Sequence, residues 1–111
     1  MTQYPRKTQV GIIGSGPAGL MLSQLLHNAG IDNVVIDRQS REHIEARVRA
    51  GVLEQGTVKA LHEAGVSQRL LAEGLPHDGF HLSFDGELHR IDLKKHTSQH
   101  VTVYGLSLIH I

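Results

Sequence analysis

Apolar and polar positions divide the chain into short blocks whose periods differ. Residues 8–13 form a brief apolar run rich in β-branched side chains, bounded by glycine. It is too short for a helix and reads as a buried parallel strand. Leu20, Met21, Leu22, Leu25, Leu26 and Ala29 then recur at helical spacing, and Gly30 suits the position just past a helix end. After Ile31-Asp32-Asn33 comes Val34-Val35-Ile36-Asp37, a second buried strand. Together these make a βαβ unit of about thirty residues.

Residues 38–50 are polar and carry four arginines, Arg38, Arg41, Arg47 and Arg49, and read as a connection. A helix is expected over about 52–64, with Val58 and Leu61 inward and Gly65 closing it. A shorter helical turn is expected over 68–72. Phe80, Leu82 and Phe84 alternate, Asp85-Gly86 follows, and His89, Ile91 and Leu93 alternate again. An Asp-Gly pair between two alternating runs signals a hairpin. Residues 101–104 read as one more strand. No internal repeat, low-complexity tract or linker between domains is visible.

Composition narrows the possible functions. A chain of 111 residues makes about one small domain with one core. Lys plus Arg is 11 and Asp plus Glu is 11, so a general basic footprint for nucleic acid is excluded. The absence of cysteine excludes a disulfide framework, a thiolate zinc site and a cysteine nucleophile. At 40% hydrophobic and 20% charged the chain suits a soluble globular protein, and 4% aromatics leave the core to aliphatic side chains. The apolar stretch 20–26 is interrupted by Ser23 and Gln24 and is too short to span a bilayer. No signal-peptide pattern opens the chain, so no membrane partner and a cytoplasmic location are expected.

The chemistry concentrates in Gly14-Ser15-Gly16-Pro17-Ala18-Gly19. A G-x-G-x-x-G alone is a weak signal, but here a strand precedes it, a helix follows, and an acidic residue ends the next strand. Gly14 permits the tight turn, Gly16 lets a pyrophosphate approach the backbone, and Gly19 lets the helix pack closely on the strand. Pro17 sits in the first helical turn, where its missing N–H costs nothing. The helix start offers free N–H groups and a positive dipole end to phosphates. Asp37, 23 residues after Gly14, can accept hydrogen bonds from ribose hydroxyls. It would repel a 2′-phosphate, so this crevice should take NAD or FAD and not NADP.

Arg47 and Arg49 are one residue apart and in an extended chain would project the same way. Beside a dinucleotide crevice they could neutralise phosphates or a second anionic cofactor; otherwise they are a solvated surface. His77 and His81 are four apart, as are His96 and His100, but they fall near strands or turns and no H-E-x-x-H occurs, so no metal site is expected.

The segment Val10-Gly11-Ile12-Ile13-Gly14-Ser15-Gly16-Pro17-Ala18-Gly19-Leu20 resembles the FAD fingerprint of flavin-dependent aromatic monooxygenases. So does Gly30-Ile31-Asp32-Asn33-Val34-Val35-Ile36-Asp37-Arg38-Gln39. The run Arg47-Val48-Arg49-Ala50-Gly51-Val52-Leu53-Glu54-Gln55-Gly56 is more specific and resembles the members that convert 4-hydroxybenzoate to 3,4-dihydroxybenzoate. Arg90-Ile91-Asp92-Leu93-Lys94 and Val101-Thr102-Val103-Tyr104-Gly105 resemble the same group, so the likeness covers about residues 8–105.

The resemblance implies an α/β fold class: the N-terminal βαβ part of a Rossmann-like FAD-binding domain with a following helix and β-hairpin, incomplete, over 1–105. It implies FAD as cofactor, NADPH as co-substrate, and oxygen and a small aromatic substrate as partners, in a parent that is often a homodimer. Ala18 would line the pyrophosphate site, and Asp37 would hold the adenosine ribose where the family usually has Glu. Residues 47–52, that is Arg47, Val48, Arg49, Ala50, Gly51 and Val52, would lie along the FAD, with Arg49 toward its phosphates. Arg38 and Arg47 would help attract NADPH, which the family binds transiently outside this crevice. No catalytic acid or base is expected among these residues, since the cofactor carries the difficult chemistry.

After Gly105 the family pattern calls for a glutamine that touches FAD. Here stands Leu106-Ser107-Leu108-Ile109-His110-Ile111, a sequence that the end of a common sequencing transposon can encode. Residues 106–111 are therefore expected to be a non-native tail, the alternative being a genuine divergent terminus, on a fragment that binds FAD weakly or not at all and is itself inactive. Two other readings stay open on the residues: a small dinucleotide-binding module without redox chemistry, and an FAD hydroxylase acting on another aromatic ring.

Overall fold

The computed structural model describes residues 7–47 and 51–104. They fall into two compact units that divide between Arg49 and Ala50.

In the first unit, β1 (Val10–Ile13), α1 (Pro17–Asn28) and β2 (Asn33–Ile36) make the βαβ arrangement. The two strands pair in parallel, from Val10 opposite Asn33 to Ile13 opposite Ile36. The ladder runs one residue further at each end, through Val10 N–H to the Asp32 carbonyl at 3.1 Å and Gly14 N–H to the Ile36 carbonyl at 2.7 Å. Strand β2 thus starts at Asn33 and releases Asp37 just beyond its end. Asn33 also ties the strand to α1: its Oδ1 accepts from Ser23 Oγ at 2.6 Å, which explains a serine in the middle of an apolar helix.

Helix α1 ends as its glycine predicts. Gly30 has φ of 71°, its N–H donates to the His27 carbonyl, and Ile31 N–H reaches back to the Leu26 carbonyl. This pair of bonds is the Schellman closure, which satisfies carbonyls that the helix end leaves free. Burial differs from expectation on one point. Ile12 is buried, but Ile13 is 88% exposed and Leu22, Leu25 and Ile36 are exposed as well. Among the described residues of this unit, one face of the parallel pair is covered, by α1, whereas parallel strands normally have both faces covered.

The polar stretch expected as a plain connection contains a helix, α2 (Arg41–Ala46). Ser40 caps it, its Oγ accepting from His43 N–H at 3.2 Å, and Arg41 pairs with Glu45 one turn on at 2.6 Å. A single capped turn with an i,i+4 ion pair carries no apolar period, so the hydrophobic pattern could not announce it.

The second unit holds β3 (Val52–Leu53), α3 (Gln55–Glu63), α4 (Gln68–Glu73), β4 (Leu75–His77), β5 (Gly79–Phe84), β6 (Glu87–Asp92), α5 (Leu93–Thr97) and β7 (Val101–Val103). Strand β7 is central and antiparallel to both neighbours, β3 and β4. Pro76 sits in β4, at the edge of this sheet, where a missing N–H is tolerated. The core gathers Leu53, Leu61, Ala64, Leu70 and Tyr104, with Ser67 and Thr102 buried among the polar residues. Ser67 Oγ lies 3.1 Å from His62 Nδ1, so its hydroxyl has a partner. Gly65 closes α3 with the same two-bond pattern that Gly30 gives α1, at φ of 78°.

Two expectations differ from the structure, and one strand was not expected. Val52 belongs to β3 and not to the helix, which starts at Gln55, because Val52 pairs with Val103 across the sheet. Leu93 opens α5 and does not continue the strand, because the Asp92 side chain accepts from Lys95 N–H at 2.9 Å and starts a helix. Strand β4, which carries no apolar period of its own, forms against β7. The hairpin is as expected: β5 and β6 pair from Gly79 opposite Asp92 to Phe84 opposite Glu87. Asp85 and Gly86 have φ of 53° and 73°, the two positive values of a type I′ turn. Phe84 and His89 stack on one face with ring centroids 4.0 Å apart. Among the described residues no helix is long and apolar enough to cross a membrane.

Candidate functional site

The turn between β1 and α1 is built by its glycines. Gly14 has φ of 108°, in a region that side chains rarely adopt, although a Cβ there would meet nothing within 4 Å. The requirement at Gly14 is therefore one of backbone angle and not of space. Gly16 is extended and precedes α1, and its carbonyl accepts from Leu20 N–H at 3.0 Å to close the first turn. Pro17 is the first helical residue and Ala18 is exposed beside it. Gly19 is different. A Cβ there would overlap the Gly14 carbonyl oxygen and stand 3.4 Å from Ile12 Cγ2. This is where the helix backbone comes closest to the turn, as the motif requires.

Asp37 faces this turn. Its Oδ2 accepts from both the backbone N–H and the hydroxyl of Ser15, each at 2.9 Å. Its Oδ1 accepts from Gln39 N–H at 2.9 Å, an Asx-turn contact. These bonds favour the charged form: the Ser15 amide first, then the Gln39 amide and the Ser15 hydroxyl, hold the carboxyl at about 2 against an ordinary 3.8. The end of β2 is thus a fixed negative charge at neutral pH. Sequence reasoning named Ser15 and Asp37 but gave Ser15 no partner, and the Gln39 amide was missed. The only local signal was the habit of Asp side chains to bond the amide two residues on.

Because the folded value lies below the unfolded one, this carboxylate contributes stability that is complete above about pH 4 and is lost as pH falls from there toward 2. Asp37→Asn should therefore flatten the acid limb of a thermal-midpoint profile between pH 4 and 2. Superimposable acid limbs in the two proteins would refute it.

Arg38 follows Asp37 and is exposed, and Arg47 is exposed at the end of α2 with an extended backbone, φ −72° and ψ 116°. Val48, Arg49 and Ala50 lie outside the described residues, and with them the expected alignment of Arg47 with Arg49. Gly51 and Val52 belong to the second unit, where the Gly51 carbonyl accepts from Tyr104 N–H at 2.7 Å and Val52 is exposed in β3. Residues 106–111 are likewise outside the described residues. Among the described residues no three His, Cys, Asp or Glu side chains gather as a metal-binding group.

A strand, a turn with one left-handed glycine, a helix start and a carboxylate at the next strand end fit the adenosine and diphosphate half of a dinucleotide. The FAD binding domain family matches residues 7–110. The chain belongs to this family. This FAD-binding segment is 50% identical over 100 residues to p-hydroxybenzoate hydroxylase of Acinetobacter baylyi, a match that covers 89% of the segment and 25% of that protein. It is 36% identical over 72 residues to phenol 2-monooxygenase of a Pseudomonas species, covering 65% of the segment and 12% of that protein. Among solved structures it superposes on PqsL of Pseudomonas aeruginosa in complex with 2-aminobenzoylacetate. The TM-score is 0.77 with 27% identity, over 92% of the segment and 28% of that chain. The segment therefore spans about a quarter of the length of the p-hydroxybenzoate hydroxylase it matches. The α/β, Rossmann-like reading of the fold holds.

Proposed function

We propose that the chain is the FAD-binding part of an NADPH-dependent monooxygenase that converts 4-hydroxybenzoate to 3,4-dihydroxybenzoate. The observation that carries this reading is the 50% identity over 100 residues to a p-hydroxybenzoate hydroxylase.

The protein's share of the work is holding and orienting. The amides of Ala18 and Gly19 lie in the first turn of α1, where a helix leaves N–H groups without internal partners and can receive the pyrophosphate. Gly16 keeps that approach free of a side chain. Asp37 receives the adenosine ribose. Residues 47–52, with Arg49 toward the phosphates, are further FAD contacts in this proposal. Arg38 and Arg47 attract NADPH, whose 2′-phosphate the Asp37 charge keeps out of the ribose position. FAD, when bound, supplies the redox chemistry that activates oxygen. The aromatic ring is held by parts of the parent beyond this segment.

The test is a pair of measurements. A polypeptide that continues this segment to the length of its relatives should oxidise NADPH when 4-hydroxybenzoate is present and release 3,4-dihydroxybenzoate. The 111-residue segment should bind FAD only weakly in a flavin-fluorescence titration, prefer it to NAD, and hydroxylate nothing. Preference for NAD would favour a binding module without redox activity. NADPH oxidation that responds to another phenol and not to 4-hydroxybenzoate would reassign the ring substrate.

A further inference from the structure

The hydrogen bonds around Asp37 limit what it can offer a ligand. A carboxylate has about four acceptor positions, two on each oxygen. Ser15 fills both positions on Oδ2, through its backbone N–H and its hydroxyl. Gln39 N–H fills one on Oδ1. Counting the Arg38 amide, which also bonds this carboxylate, at most one position remains. A ribose presents two adjacent hydroxyls, and a carboxylate free on both oxygens could accept from the two at once.

We propose that Ser15 is a positioning residue that clasps Asp37 to the glycine turn, so that the carboxylate receives one ribose hydroxyl and not the pair. The ribose half of this statement rests on the FAD reading above; the clasp does not. The serine hydroxyl is the part of the clasp that a side-chain change can remove, because the Ser15 amide stays whatever residue stands there. Asp37 is also short. Its reach to Ser15 comes from its position directly after β2, where Ile36 is bonded to Gly14 and brings the two turns side by side. A serine at position 15 and an aspartate at position 37 thus act as one unit, 22 residues apart.

The experiment uses the 111-residue chain and two readouts. The first is a carboxyl-carbon NMR titration of Asp37 without ligand. The wild-type midpoint should lie at about 2. Ser15→Ala should raise it toward the ordinary value, and Ser15→Thr, which keeps the hydroxyl, should restore it. The second is binding of ADP, 2′-deoxy-ADP and 3′-deoxy-ADP, read from amide shifts at residues 15 and 37–39. In the wild type one deoxy analogue should bind at least about tenfold more weakly than ADP and the other within about twofold. In Ser15→Ala, which frees an acceptor position, both analogues should bind more weakly than ADP.

An unmoved Asp37 midpoint in a folded Ser15→Ala overturns the clasp. Equal losses for the two analogues in the wild type overturn the single-hydroxyl assignment, and that measurement needs no variant. If ADP shifts no amide at the turn, the FAD reading fails and takes the ribose assignment with it, while the carboxyl titration still decides the clasp.

Discussion

Gly19→Ala should unfold the first unit. The added Cβ would overlap the Gly14 carbonyl oxygen and stand 3.1 Å from its carbon, beside Ile12, the buried hydrophobic residue of the unit's strands. The obstacle is backbone, which cannot rotate away as a side chain does. Relief requires α1 to lift from the turn, and this separates the helix from β1 and moves the first-turn amides off their positions. Overpacking costs about 1–3 kcal/mol and occasionally more, and an overlap with backbone stands at the upper end of that range. A unit of about fifty residues holds only about 3–7 kcal/mol in all. Urea unfolding followed by helical circular dichroism should show the loss, and any FAD binding should go with it. Gly11→Ala is the control. It places a methyl in the same strand where a Cβ meets nothing within 4 Å, and its midpoint should stay close to wild type. Equal midpoints for the two variants would sink the packing argument.

Leu70→Ala should have the corresponding effect on the second unit. Leu70 is 4% exposed, and it lies against the place where α4 meets β7: a Cβ built on Gly74 would stand 3.3 Å from Leu70 Cδ1 and 2.8 Å from Thr102 Cγ2. Truncation removes buried surface and leaves a cavity under the sheet, at a cost of about 2–5 kcal/mol. The next residue provides the comparison. Leu71 is 66% exposed, and Leu71→Ala should change stability by no more than about 0.5 kcal/mol. Two leucines adjacent in sequence should thus differ several-fold in effect, and urea midpoints measure this directly. Similar losses at both positions would mean that Leu71 is covered in solution.

The parts of the fold that could be read from the sequence are those whose determinants are local. The βαβ unit follows from a β-branched run, a helical apolar period and glycines at the turn and the helix end, all within the 30 residues from Thr8 to Asp37. The Asp85-Gly86 hairpin follows from two alternating runs and a pair of residues that accept positive φ. What could not be read depends on distant partners. Val52 stands six and nine positions before Val58 and Leu61, off their helical face, and only its pairing with Val103 shows that it is in a strand. Strand β4 contains a proline and a histidine beside one leucine, and it exists because β7 has a free edge to pair with.

The candidate site divides in the same way. Gly14, Gly19 and Asp37 were legible as a spacing, and the structure gives them the angle, the close approach and the proximity that the spacing implied. The Ser15 clasp was not legible. Whether a strand-end carboxylate points toward a turn 22 residues earlier depends on register, and register appears only when the strands are paired.

The central place of β7 has a consequence during synthesis. Val52 of β3 finds its partner 51 positions later, and Leu75 of β4 finds its own 28 positions later, in the same Val103. Chains are made at about 5–20 residues per second, so β3 waits roughly 3–10 s for the strand that covers its edge. The β5–β6 hairpin needs only its own two-residue turn and closes in about 1–10 μs. The hairpin ends at Asp92, 11 positions before Val103, so the nascent second unit spends about 0.5–2 s with a finished hairpin beside two unpaired strands, and this is the interval in which a chaperone would have most to shield.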